Sequence, residues 1–402
     1  MRNFKLAAAA FAALMVASGM AHAGATCGDS AAGFDGFIKQ FRKEAAAAGV
    51  NAKGLSALDG VQYQPGIIKK DRAQGVFSLS FIDFTKRMVS NYRITEGANI
   101  LAKNKQLFDA IQKQYGVPGE VLIAFWAFET DFGKNMGDFD TISSLATLSW
   151  DCRRPDKFRE QLIGALMLYQ NGDLERADMK GAWAGEIGHT QFLPKEYFET
   201  AVDFDGDGHR NLRKSIPDAM ASGAALLVKH GWQANQPWLD EVKLTKDLPW
   251  DQADIAIQLP RSQWVKWGVV GVDRKLKSDK FPASLLLPMG KDGPAFLAYE
   301  NFTTAYLKWN ESLVYSLTAG YLANRIAGDG PFNPGRAPVQ ALSYDQIKQL
   351  QTILEGKGYD VGTVDGKLGK STRDAVKQEQ LKMGWPADSY PTVPFLDKLQ
   401  NG

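Results

Sequence analysis

From residue 31 to about residue 232, apolar positions recur at the helical period, in stretches rich in Ala, Leu and Lys. Residues 33–48, 95–115, 157–170 and 218–230 are the clearest predicted helices. One segment breaks the two-faced pattern. Val117-Pro118-Gly119-Glu120 opens a helix, with Pro118 suited to its first turn, and 121–128 then follows as eight apolar residues in a row. A helix apolar on every side belongs inside the protein. From 240 to 300 the character changes. Residues 254–259, 264–270 and 283–287, the last turning through Gly290-Lys291-Asp292-Gly293 to Phe296, read as short strands. A last helix of this region is predicted over 311–327, and residues 329–338 are Pro/Gly-rich and aperiodic, which marks 329–342 as a linker. A module over 343–402 follows, with Ile347, Leu350 and Leu354 and then Ala375, Val376 and Met383 as its apolar positions. No internal repeat is visible. The expected fold class is α+β, mainly α, with a β-containing segment at about 240–300 inside a main region of 24–328.

The first residues carry a different signal. Arg2 and Lys5 precede an unbroken apolar run from Leu6 to Val16, and Ala21-His22-Ala23 fits a small-x-small cleavage site. The run is short of the ~20 residues needed to span a bilayer. Residues 1–23 are therefore expected to be a signal peptide, and the mature chain a periplasmic protein without a membrane anchor. The 402 residues suit two or three domains. Their net charge of +2 disappears with Arg2 and Lys5, which speaks against a nucleic-acid partner. Cys27 and Cys152 are the only cysteines, an even pair expected to form one disulfide in an oxidising compartment. Two cysteines and four scattered histidines make no zinc constellation.

Glu129 comes directly after the apolar run. A carboxyl at the edge of a buried helix loses solvation of its charged form, so its pKa is expected to rise, as a general acid near neutral pH requires. Asp131 projects to another side of the helix and is not expected to share its site. No second carboxylate at useful spacing is visible, although ordinary glycosidases use a facing pair. Asp203-x-Asp205-x-Asp207-Gly208 places oxygen ligands on alternate residues, with the Gly of a tight calcium-loop turn. The His209 carbonyl would fill the seventh position. Lys214 at the twelfth excludes a complete EF-hand, and Asp218 is the candidate to close the shell. No cofactor is expected to be required; a calcium ion bound here would be structural.

Ala127-Phe128-Glu129-Thr130-Asp131-Phe132-Gly133, Leu145 to Leu148 and Arg153-Arg154 resemble the lytic transglycosylase B family of murein-cleaving enzymes. Lys180 to Pro194, Ala201 to Gly208, and Asn301-Phe302 with Trp309-Asn310-Glu311-Ser312 and Tyr315 resemble its later blocks, in order. The resemblance implies a lysozyme-like helical core and cleavage of the β-1,4 bond between N-acetylmuramic acid and N-acetylglucosamine in peptidoglycan strands. It implies a 1,6-anhydromuramic product without net addition of water, with Glu129 as sole acid/base. Gln191 falls on a substrate-contacting position, and Arg153 and Arg154 match an arginine pair implied to hold the muramoyl peptide. Asn310 and Tyr315 match cleft-lining positions, and Trp309 stands where another member has Tyr. Ala182 departs from the pattern, since the family often has there a Ser that hydrogen-bonds the catalytic Glu. Leu350-Gln351, Gly358-Tyr359, Val364-Asp365-Gly366, Gly369, Thr372-Arg373 and Gln380 resemble a three-helix peptidoglycan-binding domain, implying a tether to the polymer. The chain is expected to act as a monomer. A hydrolytic muramidase of the same fold and an inactive wall-binding scaffold are the alternatives.

Overall fold

The computed structural model describes residues 27–73 and 79–401; the expected signal peptide lies outside them. The first helices are α1 (Phe34–Ala47), α2 (Ala52–Ser56), α3 (Pro65–Arg72), α4 (Phe81–Met88), α5 (Asn91–Lys103), α6 (Lys105–Tyr115) and α7 (Gly119–Thr130). A two-residue strand β1 (Phe139–Asp140) leads into α8 (Thr141–Trp150) and α9 (Pro155–Asn171); β2 (Lys180–Gly181), α10 (Pro194–Thr200) and α11 (Ile216–Lys229) follow. Side-chain oxygens start many of these helices. Ser80, Ser90, Asp140 and Ser215 each accept a backbone N–H three residues on, as N-caps do.

α7 is the hub. It packs against α5, α6, α11 and α14 (Leu313–Ile326), and Val121 to Phe128 are all buried. Hence no polar face is needed along that run. The stretch 95–115, expected as one helix, is two. The chain bends at Asn104, whose backbone leaves the helical region and whose side-chain amide donates to the Ile100 carbonyl.

The β-containing segment forms a five-stranded antiparallel sheet in the order β4 (Leu259–Pro260), β6 (Pro282–Leu286), β7 (Ala295–Ala298), β3 (Leu239–Leu244), β5 (Val269–Gly271). Two expected strands are corrected. Residues 254–258 make a turn, closed by the Ala256 N–H on the Asp254 carboxylate at 2.9 Å. Most of 264–270 belongs to the end of α12 (Arg261–Lys266) and a turn, and only Val269 and Val270 pair in the sheet. Trp264 is fully buried there and donates to the Ala283 carbonyl. Short apolar runs read alike as strand or buried helix. The interior strand β3 escaped notice because Glu241 points inward and breaks the alternation.

A π-helical segment, Phe302–Tyr306, and the short α13 (Leu307–Trp309) bring the chain back across α7 before α14. The module consists of α15 (Tyr344–Gly356), α16 (Lys370–Lys382) and α17 (Val393–Asn401) around its own core, with a Ser343/Gln346 capping box at its start. The linker is docked. Asn333 N–H donates to the Glu241 carboxyl, and Arg336 N–H to the Asp292 carbonyl. The module touches the main region through Lys291 N–H to Asp388, Arg373 to the Pro288 carbonyl, and a Lys377–Asp254 ion pair at 2.9 Å.

Candidate active site

Glu129 lies in the last turn of α7, half-buried, with Phe128 and Thr130 buried on either side. Directly beyond it the chain swings out of the helix through three left-handed residues, Asp131 (φ 52°), Phe132 (φ 62°) and Gly133 (φ 85°). Two successive non-glycine residues there are costly and persist only where surroundings hold them. Arg93 holds Asp131 through its Nε at 3.1 Å.

Two donors meet one carboxylate oxygen. The Tyr315 hydroxyl donates to Glu129 Oε1 at 2.5 Å and the Trp309 indole N–H to the same atom at 3.1 Å. Packing fixes both: Trp309 stacks on Phe125 with centroids 4.3 Å apart, and Tyr315 meets the Phe128 ring edge-on at 5.4 Å. Among the described residues Oε2 has no hydrogen-bond partner, and it is not sealed from solvent. Burial pushes the Glu129 pKa up; the two donors pull against it, and the charge of Glu186 adds to the rise. The phenol of Tyr315 is driven well above its usual value by burial and by Glu129, so it remains a donor.

The loop from Ala182 to Phe192 forms the facing side. Ala182 N–H bonds the Glu186 carbonyl, and Ile187 and Phe192 pair across a tight turn. Gln191 sits in that turn at φ 51°, its amide nitrogen donating to the Gly188 and Met136 carbonyls. Among the described residues its own amide oxygen has no donor, which leaves it as an acceptor. His189 ties this loop to α7. The Trp126 indole donates to His189 Nδ1 at 3.1 Å, and the Thr130 hydroxyl to the His189 carbonyl at 2.8 Å. Burial, with Arg213 nearby, lowers its pKa to about 4, so the ring is neutral.

The remaining candidates are placed as follows. Asn310 caps the turn after α13, its side-chain oxygen accepting from Ser312 N–H at 3.0 Å. Arg153 and Arg154 both bond the buried carboxylate of Asp71, which Arg72 also bonds while bridging to Asp151. The two arginines expected to hold a muramoyl peptide thus share a buried carboxylate partner, Asp71. Burial opposes the charge of Asp71, but its arginine partners hold its carboxyl below the usual range. Cys27 and Cys152 are disulfide-bonded, Cα atoms 5.0 Å apart, beside this cluster. Carboxylate oxygens of Asp203, Asp205 and Asp218 lie within 4.8 Å of one another, while Asp207 is outside that set and accepts from His209 N–H. Burial, with the charge of Asp205, raises the pKa of Asp218. Three converging carboxylates, one of them fully buried, form an all-oxygen donor set that suits a hard cation.

Sequence reading missed two residues. Glu186 is a second carboxyl within electrostatic reach of Glu129, and His189 is the clamp on α7. The available signal was a lone acid inside Ala184-Gly185-Glu186-Ile187-Gly188, where every neighbour is small or apolar.

Residues 33–324 match the family described as Transglycosylase SLT domain, and residues 343–399 match a peptidoglycan binding domain family. Membrane-bound lytic murein transglycosylase B of Escherichia coli (strain K12) is 31% identical over 154 residues, which is 38% of this chain and only 42% of that protein's length. Structures of SltB3 from Pseudomonas aeruginosa in complex with NAG-anhNAM-pentapeptide and with NAG-NAM-pentapeptide are 38% identical. Each gives a TM-score of 0.84 over 91% of this chain and 99% of that one. The Escherichia coli lytic transglycosylase Slt35 in complex with calcium, 24% identical with TM-score 0.61 over 72% of this chain and 92% of that one, shares the fold. With its helical core, its buried acid and most of its length inside that family match, the chain belongs to the transglycosylase SLT domain family.

Proposed function

We propose that the protein is a lytic transglycosylase that cleaves the β-1,4 bond between N-acetylmuramic acid and N-acetylglucosamine in peptidoglycan, with Glu129 as sole acid/base. The observation that carries this reading is the asymmetric carboxyl of Glu129, whose Oε1 is held by Tyr315 and Trp309 while Oε2 is free. Protonated Oε2 gives its proton to the glycosidic oxygen as the bond to C1 breaks. The substrate acetamido group assists at the oxocarbenium-like centre, which removes the need for a carboxylate nucleophile. Glu129, now charged, takes the proton of the muramoyl 6-hydroxyl, whose oxygen closes on C1. The proton count balances without water, and the product is a 1,6-anhydro end.

Around this acid, Gln191 offers its free amide oxygen to an acetamido N–H, and Trp309, Asn310 and Tyr315 shape the wall of the cleft. Arg72, Arg153 and Arg154 outweigh Asp71 and Asp151 by one positive charge, which is available to a stem-peptide carboxylate. The scaffold reading rested on Ala182. Two donors from other elements now supply the orientation that a serine there would give, which favours an active enzyme. The disulfide and the leader pattern of residues 1–23 favour export to the periplasm, and no described helix is long and apolar enough to cross a membrane. The C-terminal module binds the same polymer.

The products of digested, purified peptidoglycan test this reading by mass. Muropeptides one water lighter than their hydrolytic counterparts are expected. Reducing muramic acid ends would make the protein a muramidase, and binding without solubilisation would make it a scaffold. Calcium held by Asp203, Asp205 and Asp218, with Asp207 and the His209 carbonyl at the rim, would pin the start of α11 to its preceding loop. Thermal unfolding checks this: calcium in excess of its Kd is expected to raise Tm and a chelator to reverse it. An unchanged Tm would remove the ion from the account.

A further inference from the structure

Lys69-Lys70-Asp71-Arg72 and Asp151-Cys152-Arg153-Arg154 are two short charged stretches, far apart in the chain, that the fold brings together. Three guanidiniums converge there on one carboxylate. Arg72 donates to Asp71 Oδ2 at 2.5 Å, Arg153 to the same oxygen at 2.8 Å, and Arg154 to Oδ1. Arg153 also donates to the Asp71 backbone carbonyl at 2.9 Å. Asp151 braces the other side, accepting from Arg72 at 2.6 Å and from Arg153 N–H at 3.1 Å. The acids are sealed and the bases are not. The side chains of Asp71 and Asp151 are 1% and 4% exposed, those of Arg72, Arg153 and Arg154 45%, 45% and 33%. Three like charges this close would splay apart without the carboxylates beneath them.

Both acids stand on fixed backbone. Gln64 N–H donates to Thr147 Oγ1 at 3.0 Å, which ties the start of α3 to α8, and Asp71 lies in the last turn of α3. Asp151 ends α8 and precedes Cys152, whose disulfide to Cys27 anchors the 151–154 turn. The cluster also shares a rim with the candidate active site. Gln191 donates to the Met136 carbonyl at 3.3 Å, and Gly137 packs so close to β2 that a Cβ there would stand 2.2 Å from the Gly181 carbonyl oxygen. Next comes Phe139 of β1, with Lys70 Nζ 5.1 Å from its ring centroid. Lys70 immediately precedes Asp71. A continuous run of contacts thus joins the Gln191 turn to the arginines.

We propose that Asp71 is a positioning residue for recognition of the stem peptide, and that Arg72 is a third arm of the site it builds. The proposal rests on the role given above to Arg153 and Arg154. One buried carboxylate holds three guanidiniums side by side with much of their surface toward solvent. The Arg153 side chain uses Nη1 alone in these bonds, so its fork keeps further donors. A peptide carboxylate then meets donors that folding has already ordered, instead of long side chains that binding must immobilise. Asp71 costs the platform one unit of positive charge and supplies geometry in return.

The measurement is the preference for uncrosslinked glycan strands bearing stem peptides over the same strands stripped by an amidase, taken as a ratio of kcat/KM. Asp71→Asn is expected to lower that preference about tenfold, with the loss in KM on the peptide-bearing strands. The variant adds net positive charge, so a carboxylate that merely competed with substrate would give the opposite sign. A raised preference overturns the proposal. So does an unmoved one, which a purely structural loss shared by both substrates would also produce. Should Asp71→Asn fail to fold, Arg72→Gln decides, because it changes a side chain that is 45% exposed. A preference lowered about tenfold supports the proposal, and an unmoved one overturns it. The double variant Arg153→Gln/Arg154→Gln separates the claims. If it keeps the preference of the unmodified protein, the arginine reading itself fails. If it loses that preference while Asp71→Asn keeps it, only the present proposal fails.

Discussion

Two donors on one oxygen of Glu129 do more than orient it. Each favours the charged carboxyl, and so each opposes the rise in pKa that burial imposes. Tyr315→Phe removes the shorter of the two bonds and leaves Trp309 in place. The expected outcome is a fall in kcat of about tenfold from looser geometry. The upper limb of the pH profile is expected to move to higher pH. An unmoved limb in Tyr315→Phe would show that the hydroxyl does not hold Glu129 in solution. Little of this was visible residue by residue. Glu129 stood out because it ends an apolar run, but Tyr315 lies 186 positions away from it and Glu186 has no periodic relation to it. The carboxylate bonded to the arginine pair was hidden for the same reason, since it is Asp71, 82 and 83 positions upstream.

α7 and the 182–192 loop meet through His189, and that contact carries a pH signature. The folded-state pKa of about 4 lies below the ordinary 6.5, so the folded protein binds this proton less tightly than the unfolded chain. Stability from this group is complete above pH 6.5 and is lost as pH falls through 4. His189→Phe leaves the buried Trp126 N–H without an acceptor, at a cost of about 1–3 kcal/mol at pH 7. Denaturant unfolding at pH 7 and pH 5 is expected to show that deficit narrowing at pH 5; a constant deficit would contradict the assignment. Helices were the legible elements, because 3.6-residue periodicity and Ser or Asp caps agree along them. Strands were not. β3 carries Glu241 inward, where burial drives its pKa up to about 7 despite the bond from Asn333 N–H. In α12, Trp264 and Val265 look like strand residues when read alone.

Across the whole molecule, the module is held to the main region by specific bonds. Tyr390 of the module packs into the principal core, and Lys377 pairs with Asp254 where both side chains are about one-sixth exposed (15% and 16%). Burial works against the charge of Asp254, but the Ala256 N–H and Lys377 hold its carboxyl below the usual range. Asp254→Ala leaves a half-buried lysine without its partner, and is expected to weaken docking by about 1–2 kcal/mol. Limited proteolysis across residues 329–342 checks this: cleavage should quicken in the variant while α7 remains protected. Equal cleavage rates would mean the pair contributes nothing. The sequence marked this stretch as a linker from its Pro and Gly content. Its anchors, Glu241 and Asp292, are distant in sequence and left no local trace.

Turnover of purified peptidoglycan by Glu129→Gln, beside the unmodified protein, tests the central claim. Gln keeps the oxygen that accepts from Tyr315 and Trp309 but has no proton to give. A raised carboxyl pKa contributes stability only below the ordinary glutamate range and loses it as pH rises, so the variant is expected to melt no lower at neutral pH. With folding preserved, release of muropeptides should fall by at least about 10²–10⁴-fold. Release at the unmodified rate would contradict Glu129 as the acid/base.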